Sequence, residues 1–221
     1  DRITLHDVKS IPVPVLTSRQ IVELSEVQKQ LTQIEIEQGS ENAQAYLDEQ
    51  IIRILHVPES ITTLVTEFLE LRLKLVGGGT REAIQKAQQH PDQKVLQDYA
   101  QQLTSDLDGF LDSGKTHHRV VVERSPDLIC CTVEFVSSEH AFTPVVKESS
   151  SHNGHMFSRL QQALKNEFSQ WVYVQRGLKM FEPSSVSLYK VPQLINWTRT
   201  QAMNDADEVI AEILSTARQH T

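Results

Sequence analysis

Residues 120–136, VVVERSPDLICCTVEFV, decide the fold class of this chain. The run begins with three valines and breaks at the polar segment Arg124-Ser125-Pro126-Asp127. It then resumes as an apolar run from Leu128 to Val136. β-Branched residues favour strands, whereas proline and aspartate favour turns. The stretch therefore predicts two strands joined by a short turn, an arrangement that favours antiparallel pairing.

A second pair of strands is predicted further along, at residues 171–181 and 186–191, joined by Glu182-Pro183-Ser184-Ser185. Between the two pairs, residues 137–154 are polar and aperiodic, which predicts a long loop, and residues 157–168 have helical spacing. A last amphipathic helix closes the chain, with its apolar side at Ala202, Val209, Ile213 and Leu214. The predicted fold class is α+β, with helices first and then a small antiparallel sheet packed with helices.

The N-terminal part of the chain predicts a helical bundle or hairpin. Ile11-Pro12-Val13-Pro14-Val15 indicates an extended connector, because proline fixes φ and lacks an amide donor. Thr17 and Gln20 have the spacing of a capping box, which predicts a helix start. Apolar residues then recur at helical steps in three successive segments, at residues 18–37, 47–55 and 61–75.

Gly77-Gly78-Gly79 is the clearest internal boundary. It divides the chain into a helical segment, residues 1–76, and an α+β domain, residues 80–221. The α+β domain is predicted to begin with two helices, the first of them capped by Thr80.

The composition bounds the function classes. The chain has 221 residues, 39% of them hydrophobic, so it can bury a core. No apolar run approaches the ~18 residues that cross a bilayer, so no membrane partner is expected. The net charge of −8 means that the surface as a whole does not attract polyanions. Cys130 and Cys131 are adjacent and point to opposite faces of a strand, which excludes a disulfide framework and favours a reducing, cytoplasmic location.

One segment, residues 165–199, combines positive charge with aromatic rings. It has five basic and two acidic residues, a local charge of +3. Cations that neutralise phosphates beside rings that can stack are typical of nucleic-acid contacts. The alternative is that the rings belong to the core and the cations to a solvated strand face. The candidate nucleic-acid-binding residues are Trp171, Tyr173, Arg176, Lys179, Lys190, Trp197 and Arg199.

Other constellations have weaker support. The glycine run before Thr80 lacks the lysine of a phosphate-binding loop. The histidines at 117, 118, 152 and 155 do not have the paired spacing of a zinc site, so no metal ligand is assigned. Asp127 and Glu134 are similar to the carboxylate pair of magnesium-dependent nucleases, but the lysine expected two residues after the glutamate is replaced by Val136. No catalytic residue is assigned.

Three stretches carry a resemblance to a known family: LHDVKSIPVPVL at residues 5–16, residues 47–75, and WTRTQAMNDADE at residues 197–208. They resemble segments of adenine-specific DNA methyltransferases and of restriction-modification specificity subunits that follow the target-recognition domain. The family's S-adenosylmethionine loop and its Asn-Pro-Pro-Tyr loop have no counterpart here. The resemblance therefore implies a C-terminal region of a larger enzyme, with no catalytic residue and no cofactor in this fragment.

Three hypotheses follow. The first is a non-catalytic module that contacts a DNA backbone and packs against the remaining domains or subunits of a restriction-modification system. The second is a divergent metal-dependent nuclease that uses Asp127 and Glu134. The third is a protein-interaction domain in which the acidic helices of residues 18–76 contact another subunit. Residues 1–80 hold seven basic and twelve acidic residues, a net charge of −5, which suits a protein partner there.

Overall fold

A computed structural model describes residues 14–76, 80–111, 116–138, 140–148 and 177–219. The chain divides into two compact units, residues 1–62 and residues 63–221. This division falls between Thr62 and Thr63, before the predicted boundary at residues 77–79, which itself lies outside the described residues.

The first unit contains a helical hairpin. Helix α1 spans Ser18–Gln38 and helix α2 spans Ser40–Ile54, with Gly39 between them. The predicted capping box is confirmed, because the Thr17 hydroxyl accepts from the Gln20 amide and the Gln20 side chain accepts from the Thr17 amide. Gly39 ends α1 with a φ of 89°, a conformation that favours glycine.

The two helices of the hairpin are antiparallel. The Gln20 side chain near the start of α1 donates to the carbonyl of Ile54 at the end of α2, at 2.9 Å. Further along, the Tyr46 hydroxyl contacts Gln30. Only three apolar side chains of the described hairpin are buried: Val27, Ala43 and Ile54. The hairpin therefore has a thin interface rather than a core of its own.

The third predicted helix is interrupted by one π-helical turn. Helix α3 spans Glu59–Glu67, the π turn spans Phe68–Arg72, and helix α4 spans Leu73–Val76. The sequence predicts that the apolar positions of this helix are buried, because a helix this short is marginal in water by itself. The predicted positions are Ile61, Leu64, Val65, Phe68, Leu71 and Leu75. Leu71 is buried, but Ile61, Val65 and Phe68 are about half exposed, and so are Leu69 and Leu73 beside them.

The second unit continues with two helices and a five-stranded sheet. The sheet has the order β3-β1-β2-β5-β4, and its pairs are antiparallel except for β1 and β3, which are parallel. The elements are α5 Arg81–Gln88, α6 Gln93–Phe110, β1 Thr116–Arg124, β2 Ile129–Ser137, β3 Val145–Glu148, β4 Leu178–Glu182, β5 Ser185–Lys190, a 3₁₀ turn Leu194–Asn196, and α7 Arg199–Gln219. The predicted α+β class is confirmed.

The core of the second unit lies between one face of the sheet and helices α6 and α7. We call this side of the sheet the covered face. It contributes Val120, Val122, Ile129, Cys131 and Leu188, all fully buried. As predicted, Cys130 points to the opposite face, where it packs with Tyr189. Alternation along the strands thus separates the two thiols.

Four details differ from the sequence predictions or remain untested. Strand β3 lies within residues 137–154, which were predicted to form a loop. It is only four residues long and pairs in parallel with β1, which lies more than twenty residues earlier in the sequence. Ile213 and Leu214 were expected inside, but they are 36% and 45% exposed. The predicted helix at residues 157–168 lies outside the described residues. So does the part of the third predicted strand that covers residues 171–176.

Candidate functional site

A buried ion pair joins the last residue of β5 to helix α7. Lys190 ends β5 on the covered face, and its ammonium donates to the carboxylate of Asp205. The two side chains are only 6% and 3% exposed. Asp205 follows Ala202 by three residues and precedes Val209 by four, so it belongs to the buried side of α7. The local fold therefore brings a cation and a carboxylate together inside the protein.

Aromatic rings and hydrogen bonds surround this pair. The Tyr99 hydroxyl donates to Asp205 Oδ2 at 2.7 Å, and Lys190 Nζ also donates to the Asn196 carbonyl at 3.3 Å. The ammonium lies 5.1 Å and 5.3 Å from the ring centroids of Tyr99 and Trp197. These rings meet edge to face at 4.9 Å. The cation is therefore satisfied by a carboxylate, a carbonyl and two ring faces.

Burial shifts the acid–base properties of these groups. Burial lowers the pKa of the Lys190 ammonium below its usual value, and the nearby Asp205 carboxylate opposes that shift. Burial also raises the pKa of the Tyr99 hydroxyl well above its usual value, and Asp205 adds to that rise. Perturbed titratable groups that line a cleft mark a candidate functional site on physical grounds.

An open cleft of about 430 Å³ lies beside the buried pair. Its size falls within the range of small-ligand pockets. Gly177 contributes to the wall, where a Cβ would lie 3.0 Å from Lys190 Cγ and 3.1 Å from the Tyr189 carbonyl oxygen. Any larger residue here would require Lys190 or the Tyr189 backbone to shift by a few tenths of an ångström. The charged and amide side chains along the cleft include Arg72, Lys179, Asn204, Asp207 and Glu208.

Two residues of the predicted nucleic-acid surface lie in the interior. Lys190 is 5% exposed and Trp197 is fully buried, with its indole N–H donating to the Val191 carbonyl at 3.0 Å. The prediction that they present an exposed contact surface is wrong. The reason is that both lie on the side of the sheet that α6 and α7 cover. Both are therefore interior residues, as the alternative interpretation proposed for the rings.

The remaining predicted residues are placed differently. Lys179 is partly exposed and forms an ion pair with Glu208, and burial lowers its pKa. Arg199 begins α7, and its guanidinium donates to the Gln102 side chain. The structure thus brings Lys179, Lys190 and Trp197 into one neighbourhood. Trp171, Tyr173 and Arg176 lie outside the described residues.

The carboxylates of the nuclease hypothesis do not converge. Asp127 lies in the turn before β2, whereas Glu134 lies well inside that strand and accepts from Arg119 at 3.2 Å. Five residues separate Ile129 from Glu134, which at strand geometry corresponds to roughly 16 Å. A shared magnesium ion needs both carboxylates at about 2 Å from the metal. This geometry does not support the nuclease hypothesis.

A second polar cluster joins the end of α6 to the start of β1. Asp108 accepts from the Nδ1 atoms of His117 and His118 at 3.0 Å and 2.7 Å, and from the His118 amide at 2.9 Å. The His118 ring is buried and meets Phe135 edge to face. Within the described ranges, no three histidine, cysteine or carboxylate side chains converge as metal ligands would.

Of the residues that line the cleft, sequence reasoning found only Lys179 and Lys190, and it missed Arg72 and Asp205 as well as Tyr99, which contacts the buried pair. A signal for Asp205 exists, because it is a carboxylate on the apolar stripe of α7, and a buried charge requires a partner. The partner itself, Lys190, is fifteen positions away on a strand. Arg72 carries no such local signal, since its position depends on the π turn.

Comparisons with known proteins identified no relative of this chain. No family model matches the chain, and neither the curated proteins nor the solved structures include one that is similar to it. The helices in the described parts of the chain all lack the length and apolar character that a membrane crossing requires.

Proposed function

We propose that this chain is a non-catalytic, cytoplasmic module of a DNA methyltransferase or restriction-modification protein, and that it packs against another domain or subunit of that protein. The resemblance of residues 5–16, 47–75 and 197–208 supports the family. The observation that supports packing against another domain or subunit is an exposed apolar face on one helix.

This surface, the Val65 face, consists of four side chains on α3, the π turn and α4. Their exposed fractions lie between 47% and 52%. They are separated by three, one and four residues, which is the spacing of one side of a helix. Contiguous exposed apolar side chains of this kind are typical of protein contact sites. The members are Val65, Phe68, Leu69 and Leu73.

The Val65 face is held on a fixed helix. Leu71 is buried on the other side of the same helix. The Glu67 carboxylate accepts from the backbone amides of Arg199 and Thr200 at 2.9 Å and 2.8 Å, which ties the helix to the start of α7. A preorganised surface loses little conformational entropy when a partner binds.

The acidic charge of the helical segment is a second argument for a protein partner. Residues 18–76 hold five basic and ten acidic residues, a net charge of −5, and the excess lies in residues 18–62, since residues 63–76 hold two basic and two acidic residues. Charge complementarity therefore favours a basic partner surface for these acidic helices. A subunit that binds DNA elsewhere is rich in such basic surface.

The substitution Leu69→Lys tests the packing role. A charge in the centre of an apolar contact should weaken binding to the subunits encoded with this chain at least ~tenfold, measured by sedimentation of the co-expressed proteins. Leu214→Lys is the matched control, because Leu214 is also a helical leucine, 45% exposed against 49% for Leu69. Equal binding by both variants and the unmodified chain would contradict the proposal.

We further propose that the chain contacts the DNA backbone through two of the predicted residues, Lys179 and Arg199. Both are partly accessible in the described part of the chain, unlike Lys190. Phosphate contacts predict affinity that falls steeply with salt and is similar for all sequences. A mobility-shift titration of Arg199→Ala checks this contact. Absence of any binding at low salt would remove the DNA contact and leave the packing proposal standing.

A further inference from the structure

The cleft beside Lys190 is lined by equal numbers of positively and negatively charged side chains. Three are cationic, Arg72, Lys179 and Lys190, and three are carboxylates, Asp205, Asp207 and Glu208. A site for a simple anion or a simple cation would show an excess of the opposite charge. The equal number of positive and negative side chains therefore favours a ligand that carries both a positive and a negative charge.

Four of these six charges neutralise one another. Lys190 pairs with Asp205 in the interior, and Lys179 pairs with Glu208 at the rim. Within the part of the chain that the structure describes, the guanidinium of Arg72 and the carboxylate of Asp207 have no hydrogen-bond or ion-pair partner. One cation and one carboxylate therefore remain available to a ligand.

The backbone supports a role for Arg72. It is the last residue of the π turn Phe68–Arg72. π-Helical turns are rare, and those that persist are frequently found at functional sites. The turn changes the direction in which Arg72 leaves the helix, relative to a continuous α-helix, and Arg72 lines the cleft.

We infer that the cleft binds a small zwitterion, an α-amino acid, with its carboxylate on Arg72 and its ammonium on Asp207. The arginine fork matches a carboxylate in two parallel hydrogen bonds. The exposed amide side chain of Asn204 offers a further hydrogen bond. The cleft volume of about 430 Å³ leaves room for the amino-acid side chain and for water. This inference uses none of the residues of the Val65 face and stands or falls separately from the packing role.

Calorimetric titration of the full chain with each standard amino acid tests the inference. At least one should bind and raise the unfolding temperature. The matching carboxylic acid without the amine, and the matching amine without the carboxylate, should bind at least ~tenfold more weakly, because each leaves one charge of the cleft unpaired. For alanine these probes are propionate and ethylamine. Failure of every amino acid to bind, or equal binding of the carboxylic acid alone, would overturn the inference.

Two variants locate the site. Arg72→Gln and Asp207→Asn should each weaken the binding of the same amino acid by roughly tenfold to a hundredfold. Lys74→Gln and Glu82→Gln are the controls, since they remove exposed charges that do not line the cleft. Circular dichroism confirms that each variant is folded. Unchanged affinity in both cleft variants would assign the binding elsewhere and contradict the inference.

Discussion

Lys190 and Asp205 form an ion pair that is almost completely removed from water. Taking two charges into the interior costs several kcal/mol per ion, and the mutual attraction with the surrounding hydrogen bonds offsets that cost. The pair therefore adds little net stability over an apolar pair of the same volume. Removal of one partner, however, leaves an uncompensated charge in the interior.

The substitution Lys190→Met should destabilise the protein by about 3–5 kcal/mol, because Asp205 would remain buried without its cation. Urea unfolding followed by circular dichroism measures the loss. Lys179→Met is the control, since its partner Glu208 is 64% exposed and such pairs contribute less than about 1 kcal/mol. Equal losses in the two variants would mean that the Lys190 pair is solvated in solution.

Asp108 gives the protein an acid-dependent contribution to stability. Burial tends to raise the pKa of this carboxyl, but the hydrogen bonds from His118 and His117 outweigh burial, so the pKa lies below its usual value. A carboxyl with a lowered folded-state pKa stabilises the fold above its unfolded pKa of about 3.9. That stabilisation is lost as the pH falls through the folded-state value.

The substitution Asp108→Asn should therefore cost about 1–2 kcal/mol near neutral pH, and the cost should shrink as the pH falls below about 4. Urea unfolding of both proteins across this pH range is the measurement. Asp106→Asn, on the same helix, controls for removal of one carboxylate. A cost that stays constant down to acid pH would contradict the assigned role of the Asp108 charge.

At the scale of elements, the start of α7 is capped from another helix. Glu67 on α3 accepts from the amides of Arg199 and Thr200 with its two carboxylate oxygens. Helix N-termini leave amide donors without intrahelical partners and attract negative charge. The cap thus joins two elements that are 132 residues apart in sequence.

The substitution Glu67→Ala should destabilise the second unit by about 1–2 kcal/mol, the usual effect of losing a helix cap with its charge. Urea unfolding measures this loss. Glu70→Ala is the comparison, because Glu70 lies one turn away and pairs only at the surface with Lys86, at 3.5 Å. A loss for Glu67 no larger than that for Glu70 would exclude the capping role.

Elements whose signals are local were predictable from the sequence. Thr17 caps α1, Thr80 caps α5, and the apolar runs around Val120 and Ile129 form β1 and β2. Strand β3 was not predictable, because four residues carry no periodic pattern and its parallel pairing with β1 is a long-range contact. The π turn was not predictable either, since nothing in FLELR distinguishes it from an α-helix.

At the scale of the whole molecule, the buried apolar core belongs to the second unit. The main cluster extends from Leu96 on α6 to Val209 on α7 and includes no residue of the hairpin. A domain that contains its own core can fold alone. The hairpin has only Val27, Ala43 and Ile54 buried among its described residues, too few for independent stability.

A fragment that begins at Glu59, which keeps α3 whole, should unfold in one cooperative transition. Urea unfolding followed by both tryptophan fluorescence, to which Trp171 and the buried Trp197 contribute, and circular dichroism checks this, because coincident curves indicate a two-state unit. A fragment of residues 14–58 should show no cooperative transition. A gradual loss of signal from the Glu59 fragment would mean that its core depends on residues 14–58.

The sequence by itself determined the α+β class, the helix starts and the opposite orientation of Cys130 and Cys131, because these follow from local periodicity, capping and strand alternation. Only the tertiary structure decided that Lys190 and Trp197 are interior residues and that Asp205 is the partner of Lys190. Exposure of a long cationic side chain depends on which face of the sheet the helices cover. That choice is made by contacts among residues far apart in sequence, which no local pattern encodes.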